Sequence, residues 1–123
     1  MSFLTDRKRA VGMGASKTGT EHHWSMQISS IALIFLVPLF VFTFGPALGG
    51  TWEEIVIYYS HPWPAIVAAL TMTVGMMHFK NGAQMAIEDY VHGLTGRITI
   101  ILVTCLAYAI AGVSVFSLIR LAL

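Results

Sequence analysis

One histidine, His78, lies 13 residues past Ala65 on a predicted helix, about 20 Å into the bilayer, where the first ionisable side chains of that helix appear. An ionisable side chain inside a membrane segment is costly, so such a residue is a candidate for function. A neutral imidazole needs a partner for each ring nitrogen, or a metal for one of them. Three interpretations of His78 therefore stay open: a hydrogen-bonded histidine packed in a helix bundle, a haem ligand, or part of a proton path.

Helical spacing places four other residues on the same face as His78: Gly75, Gly82, Met85 and Asp89. Glycines beside a histidine leave room for a large flat group such as a porphyrin, but they equally allow a close contact between two helices. Only one histidine is placed this deeply. A haem with two axial histidines would therefore need its second ligand from another subunit or from another copy of the chain.

Asp89 and Tyr90 close the same helical stretch, where it is expected to leave the lipid. They are typical of an aromatic anchor beside an acid at a helix end. They also have the chemistry of a quinone site, because a phenol hydroxyl can hydrogen-bond a quinone carbonyl and a carboxylate can support proton delivery. His78 and Tyr90 are separated by about 18 Å of helix, so they cannot share a ligand atom.

The composition indicates a membrane protein. Of 123 residues, 56% are hydrophobic and 11% charged, and the mean hydropathy is +0.74, whereas soluble domains have about 25% charged residues. A single cysteine excludes a disulfide scaffold, an all-cysteine zinc site and a self-contained iron–sulfur cluster. The net charge of +1 gives no sign of nucleic-acid binding.

The apolar runs predict an all-α fold, an integral membrane bundle of three transmembrane helices. Residues 1–23 form a polar N-terminal arm and residues 24–123 the anchor, with spans at about 24–44, 62–90 and 98–120. A helix of about 20 residues crosses a hydrocarbon core of about 30 Å. Nothing of the size of a separate catalytic domain remains outside these spans.

Lysine and arginine counts predict the orientation. Residues 45–61 carry none, whereas the N-terminal arm carries Arg7, Lys8, Arg9 and Lys17, and the second loop carries Arg97. The positive-inside rule therefore places the N-terminus and the second loop in the cytoplasm, and the first loop and the C-terminus in the periplasm. Arg120, near the C-terminus, is the one residue that argues against this orientation.

His78, Gly82 and the pair Asp89-Tyr90 form an H-x3-G-x6-D-Y pattern on the middle span. This pattern is similar to the second helix of a family of small membrane-anchor subunits of succinate dehydrogenase (succinate:quinone oxidoreductase). The three-span layout from Glu21 to Leu123 also resembles that family. The stretch 22–30, His-His-Trp-Ser-Met-Gln-Ile-Ser-Ser, resembles its alphaproteobacterial and mitochondrial branch.

The resemblance implies a membrane anchor of succinate dehydrogenase in the bacterial inner membrane, serving the respiratory chain and the tricarboxylic acid cycle. It implies that His78 is an axial ligand of haem b, opposite a histidine of a second membrane-anchor subunit. It further implies that Tyr90 hydrogen-bonds ubiquinone with support from Asp89. An iron–sulfur subunit and a flavoprotein subunit would be the other partners, and the chain would not be catalytic alone.

The chain departs from the resemblance at one position. Family members commonly have an arginine after the glutamine of the first span, whereas Ile28 follows Gln27 here. Lys80 or His23 is then a candidate for pairing with a haem propionate. Two alternative functions stay open: the anchor of a fumarate reductase or of another quinone-linked respiratory enzyme, and a structural membrane subunit without a cofactor.

Overall fold

The computed structural model describes residues 4–14 and 19–123, and within these ranges every regular element is helical. The all-α fold expected from the sequence is thereby confirmed for this part of the chain. Lys17, which entered the charge argument, lies outside the described residues. The elements in chain order are α1 (Asp6–Val11), α2 (Gly19–Phe44), a 3-10 turn (Gly45–Ala47), α3 (Trp52–Ser60), α4 (Pro62–Tyr90) and α5 (Gly93–Ala122).

Helix α4 is the middle helix of the bundle, because it packs against both α2 and α5. Throughout the described ranges, α2 and α5 do not contact each other. Helices α2 and α4 run antiparallel. Two hydrogen bonds show this register: Ser29 contacts His78 at 3.0 Å, and Thr71 donates to the carbonyl of Leu36 at 3.4 Å. The N-terminus of α2 and the C-terminus of α4 therefore lie at the same end of the bundle.

A sharp bend at His61 separates α3 from α4, and the two helix axes meet at 90°. Helix α3 begins at a capping box, in which Thr51 and Glu54 satisfy each other's backbone N–H groups. Pro62 suits the first turn of α4, where a backbone N–H has no helical partner. Each helix thus has its own start signal, and the bend falls between them.

Two stretches of the described chain are long and apolar enough to cross a membrane: Thr20–Ala47 and Gly93–Ala122. Helix α4 reaches that level only when it is counted together with α3. Its second half is responsible, because polar and ionisable residues begin at His78. A membrane-embedded helical bundle follows from these findings, whereas the third span remains a prediction.

The small buried core lies at the end of the bundle away from His78. It consists of Ala47, Tyr59, Ala65 and Ala68. The hydroxyl of Tyr58 donates to the carbonyl of Thr43 beside this core, and so ties α3 to the end of α2. Because small side chains dominate, the helices approach closely here, as is usual in membrane bundles.

Most large apolar side chains point away from the core. Phe42 on α2 is 78% exposed, and Phe116 on α5 is 66% exposed. Contiguous apolar surface of this kind is stable only against lipid or against a partner protein. The outer faces of α2 and α5 therefore need such an apolar environment.

Two glycines shape the turn that follows Tyr90. Gly93 has a φ of +74°, a left-handed conformation that favours glycine. Gly96 is buried, and a Cβ added to it would collide with the carbonyl group of Val91. The turn between α4 and α5 is thus closed by direct backbone packing, which places the end of α4 against the start of α5.

Candidate functional site

The side chain of His78 is half-buried on the face of α4 that meets α2. Its Nδ1 atom lies 3.0 Å from Oγ of Ser29. The same Oγ lies 2.8 Å from the carbonyl oxygen of Ser25 and 2.9 Å from that of Met26. The imidazole of α4 is therefore connected to the backbone of α2 through a single serine hydroxyl.

A second polar contact joins the two helices one turn away. The amide Nδ2 of Asn81 donates to Oγ of Ser25 over 3.1 Å. Asn81 is 4% exposed and is the one buried polar residue in the described chain. Ser25, Ser29 and Asn81 were not among the site residues predicted from the sequence. The available signal was the matched spacing of two polar pairs, Ser25 with Ser29 and His78 with Asn81, each on one helix face.

The other ring nitrogen of His78 stays available. Its Nε2 atom forms no hydrogen bond within residues 4–14 and 19–123, and it is not among the buried polar atoms that lack a partner. The imidazole can therefore offer Nε2 to a group from outside the chain.

The glycines near His78 do not serve a close helix contact within this chain. A Cβ at Gly75 would meet no atom within 4 Å, and a Cβ at Gly82 would meet only the methyl group of Met26 at 3.7 Å. A helix of a partner subunit fits the open space at Gly75, and a flat group such as a haem agrees with this geometry equally. The donor set agrees as well, because one imidazole with a free nitrogen suits one axial position of a haem.

A self-contained metal site is not found in the part of the chain that the structure describes. No three side chains from histidine, cysteine, aspartate and glutamate come together there. His78 accordingly belongs to no cluster of three such side chains within the described residues.

The N-terminal part of α2 borders an open apolar groove of about 560 Å³. Trp24, Ile28 and Ser29 line it from α2, and Val74 and Met77 line it from α4. Ser29 therefore both lines the groove and contacts the ring of His78. On the same helix, Nε2 of His22 is buried and has no hydrogen-bond partner among the described residues.

Asp89 and Tyr90 lie at the end of α4, and both side chains are exposed; Tyr90 is 85% exposed. Neither side chain forms a hydrogen bond or an ion pair with another described residue. The structure does not bring them to His78, which lies more than three helical turns back on the same helix. They form a separate polar end of the bundle.

The two residues considered as partners of a haem propionate differ in their surroundings. The ammonium group of Lys80 lies 5.9 Å from the ring centroid of Tyr108 on α5, at cation–π distance. His23 is exposed near the start of α2. On the neighbouring stripe of α4, Gln84 donates to the carboxylate of Glu88 over 2.8 Å. A propionate partner among these residues remains a prediction.

Comparison with known proteins gives two matches. Residues 1–116 match the family described as succinate dehydrogenase/fumarate reductase transmembrane subunit. The whole chain is also 38% identical to the succinate dehydrogenase hydrophobic membrane anchor subunit of Paracoccus denitrificans, over 95% of that protein. Both matches confirm the resemblance predicted from the H-x3-G-x6-D-Y pattern. No solved structure matches the chain significantly.

Proposed function

We propose a role in quinone reduction for this chain, which belongs to the succinate dehydrogenase/fumarate reductase transmembrane subunit family and is embedded in the membrane. The role is that of a hydrophobic membrane anchor of succinate dehydrogenase in a bacterial inner membrane. The similarity to the Paracoccus anchor over the full chain supports this role. The chain contributes residues to two sites and completes neither alone.

The first site holds haem b, with His78 as one axial ligand. The hydrogen bonding of the His78 ring supports this site: Nδ1 contacts Ser29 at 3.0 Å, while Nε2 has no hydrogen-bond partner in the described chain. A second anchor subunit supplies the opposite histidine. When bound, haem b supplies one-electron redox chemistry, and this chain's part is to ligate and orient it.

The second site holds ubiquinone at the end of α4. Reduction to ubiquinol takes two electrons and two protons. The phenol of Tyr90 donates a hydrogen bond to a quinone carbonyl oxygen, which favours negative charge on that oxygen as electrons arrive. Asp89, exposed at the helix end, receives a proton from water and passes it to that oxygen, and a second proton from water goes to the other carbonyl oxygen of the quinone. The exposure of both side chains agrees with a site that a partner subunit completes.

The orientation of the chain in the membrane is argued from the charges at the end of the bundle that carries Asp89 and Tyr90. The N-terminus of α2 and the first turns of α5, which carry Arg97, lie at the same end of the bundle as Asp89 and Tyr90, because α2 and α4 are antiparallel and α5 follows α4 directly. With three spans, the positive-inside rule places this end in the cytoplasm and the C-terminus in the periplasm. The iron–sulfur subunit and the flavoprotein subunit bind at the cytoplasmic end and deliver the electrons.

The test is a reduced-minus-oxidised visible spectrum of the complex, purified through a tag on this chain. Wild type is compared with His78→Ala and with His61→Ala, an exposed histidine that makes no capping hydrogen bond. We expect a b-type α-band in wild type and in His61→Ala, and its loss or shift in His78→Ala. An intact wild-type complex without haem contradicts the proposal and favours a structural subunit without a cofactor.

The matched family also includes anchors of fumarate reductase, in which electrons flow from quinol. Midpoint potentials of the haem and of the native quinone pool distinguish the two directions. A pool potential above that of the succinate couple supports succinate oxidation, and a pool potential below it supports fumarate reduction.

A further inference from the structure

We infer that Ser29 is a positioning residue, which holds His78 in the tautomer and ring orientation that leave Nε2 free to ligate a haem iron. This inference rests on the proposed function and adds a residue to it. The two residues are 49 positions apart and belong to different helices.

The inference depends on which residue is the donor in the hydrogen bond between Ser29 and His78. The hydroxyl of Ser29 has one proton and three partners in reach: Nδ1 of His78 and two carbonyl oxygens of its own helix, at 2.8 and 2.9 Å. Other hydroxyls of the bundle donate to carbonyl oxygens three or four residues back, namely those of Ser30, Thr43, Thr71, Thr73 and Thr99. A hydroxyl in a helix ordinarily donates its proton to such a backbone carbonyl. The lone pair of Ser29 is then left to accept from Nδ1–H of His78.

This direction of the hydrogen bond determines the tautomer of the His78 imidazole. A neutral imidazole carries one proton, so a proton on Nδ1 leaves the lone pair on Nε2. Histidines that ligate metals almost always donate their other N–H to a nearby acceptor, which fixes the ring and raises the basicity of the ligating nitrogen. Ser29 occupies the place of that acceptor. The reverse arrangement, with Ser29 donating to Nδ1, would put the proton on Nε2 and block ligation.

Ser30 provides a matched control. It is adjacent to Ser29 and equally half-buried, and its hydroxyl donates to the same Met26 carbonyl at 2.8 Å. It makes no hydrogen bond to His78. Loss of a serine hydroxyl from this part of α2 can therefore be compared with and without the histidine contact.

The experiment uses the whole complex with Ser29→Ala, Ser29→Thr and Ser30→Ala. Haem retention is measured by competition with apomyoglobin, the ferric haem by EPR, and the midpoint potential by redox titration. We expect Ser29→Ala to lower haem retention, since loss of such a partner typically costs about 10- to 100-fold in affinity. Its potential should rise, because a less basic ligand stabilises the ferric state less, and its highest g value should shift. Ser29→Thr and Ser30→Ala should match wild type.

Wild-type haem retention, EPR spectrum and potential in Ser29→Ala overturn the inference. Equal changes in Ser29→Ala and Ser30→Ala also overturn it, because they indicate a packing effect. If Ser29→Ala fails to assemble, the comparison of Ser29→Thr with Ser29→Val tests the inference instead, since these two side chains have similar shape and differ by the hydroxyl. Equal spectra from that pair overturn the role of Ser29. Absence of haem from the wild-type complex instead contradicts the proposed function itself.

Discussion

Asn81 and Ser25 form a polar contact between α4 and α2, with the asparagine amide 3.1 Å from the serine hydroxyl. It lies one turn from the contact between His78 and Ser29, and the two contacts run in the same antiparallel register. Because Asn81 is 4% exposed, its amide has no water to replace a lost partner. The contact therefore fixes the rotation of α4 that brings His78 to Ser29.

Ser25→Ala should destabilise the complex modestly. Interhelical hydrogen bonds in membrane proteins contribute about 0.6 kcal/mol on average and about 1.7 kcal/mol at most. We expect a lower thermal midpoint of the purified complex and a broadened haem spectrum, since the rotation of α4 is less restricted. Ser114→Ala, a half-buried serine on α5 without an interhelical hydrogen bond, is the control. An unchanged midpoint and spectrum in Ser25→Ala would show that Asn81 finds another partner.

Gly96→Ala should be strongly destabilising. A Cβ at this buried position collides with the carbonyl group of Val91, which is backbone and cannot move aside cheaply. Overpacking of this kind costs about 1–3 kcal/mol. Gly112→Ala on the same helix is the control, because its Cβ meets no atom within 4 Å. The yield and thermal midpoint of the complex measure the difference; equal values for the two variants would mean that the turn after α4 rearranges freely.

The helix bounds followed closely from local signals. Pro62 and Pro64 suit the first turn of a helix, and no proline or glycine pair follows Pro64 before Tyr90, so α4 has the bounds expected for the second run. Helix α2 begins at Gly19, five residues before the expected start of the first span at residue 24. Hydropathy marks where the lipid begins, whereas helical hydrogen bonding continues into the polar arm.

The contacts between helices could not be derived from periodicity. Sequence placed His78 on a face with Gly75 and Gly82, but the rotation of α2 that presents Ser25 and Ser29 to that face depends on packing across the whole interface. A serine inside a membrane helix usually hydrogen-bonds its own helix backbone or a neighbouring helix. In the structure Ser29 does both.

Gly75→Leu should reduce haem incorporation, and the thermal midpoint of the complex checks that the larger side chain leaves the chain itself intact. A Cβ at Gly75 meets no atom of this chain within 4 Å, so a loss reports on a group bound outside it. Steric conflict of about 1–3 kcal/mol corresponds to about 5- to 160-fold weaker binding. Haem per complex, measured as pyridine haemochrome, tests this expectation against Gly112→Leu, whose Cβ position on α5 is equally open. Full haem content in Gly75→Leu would place the haem on another face of α4.

Tyr90→Phe should slow quinone reduction while the haem content stays at the wild-type level. The substitution removes one hydrogen-bond donor from an 85% exposed side chain that packs against little else, so folding is unaffected. A hydrogen bond of about 1.4 kcal/mol, if made in the transition state, corresponds to about a tenfold loss in kcat. Tyr108→Phe is the control, because its ring lies beside Lys80 on a different helix. Succinate:quinone turnover is compared with succinate oxidation by an artificial acceptor that bypasses the membrane site. Normal quinone turnover in Tyr90→Phe would remove Tyr90 from the quinone site, and an equal loss with both acceptors would place the defect in the soluble subunits.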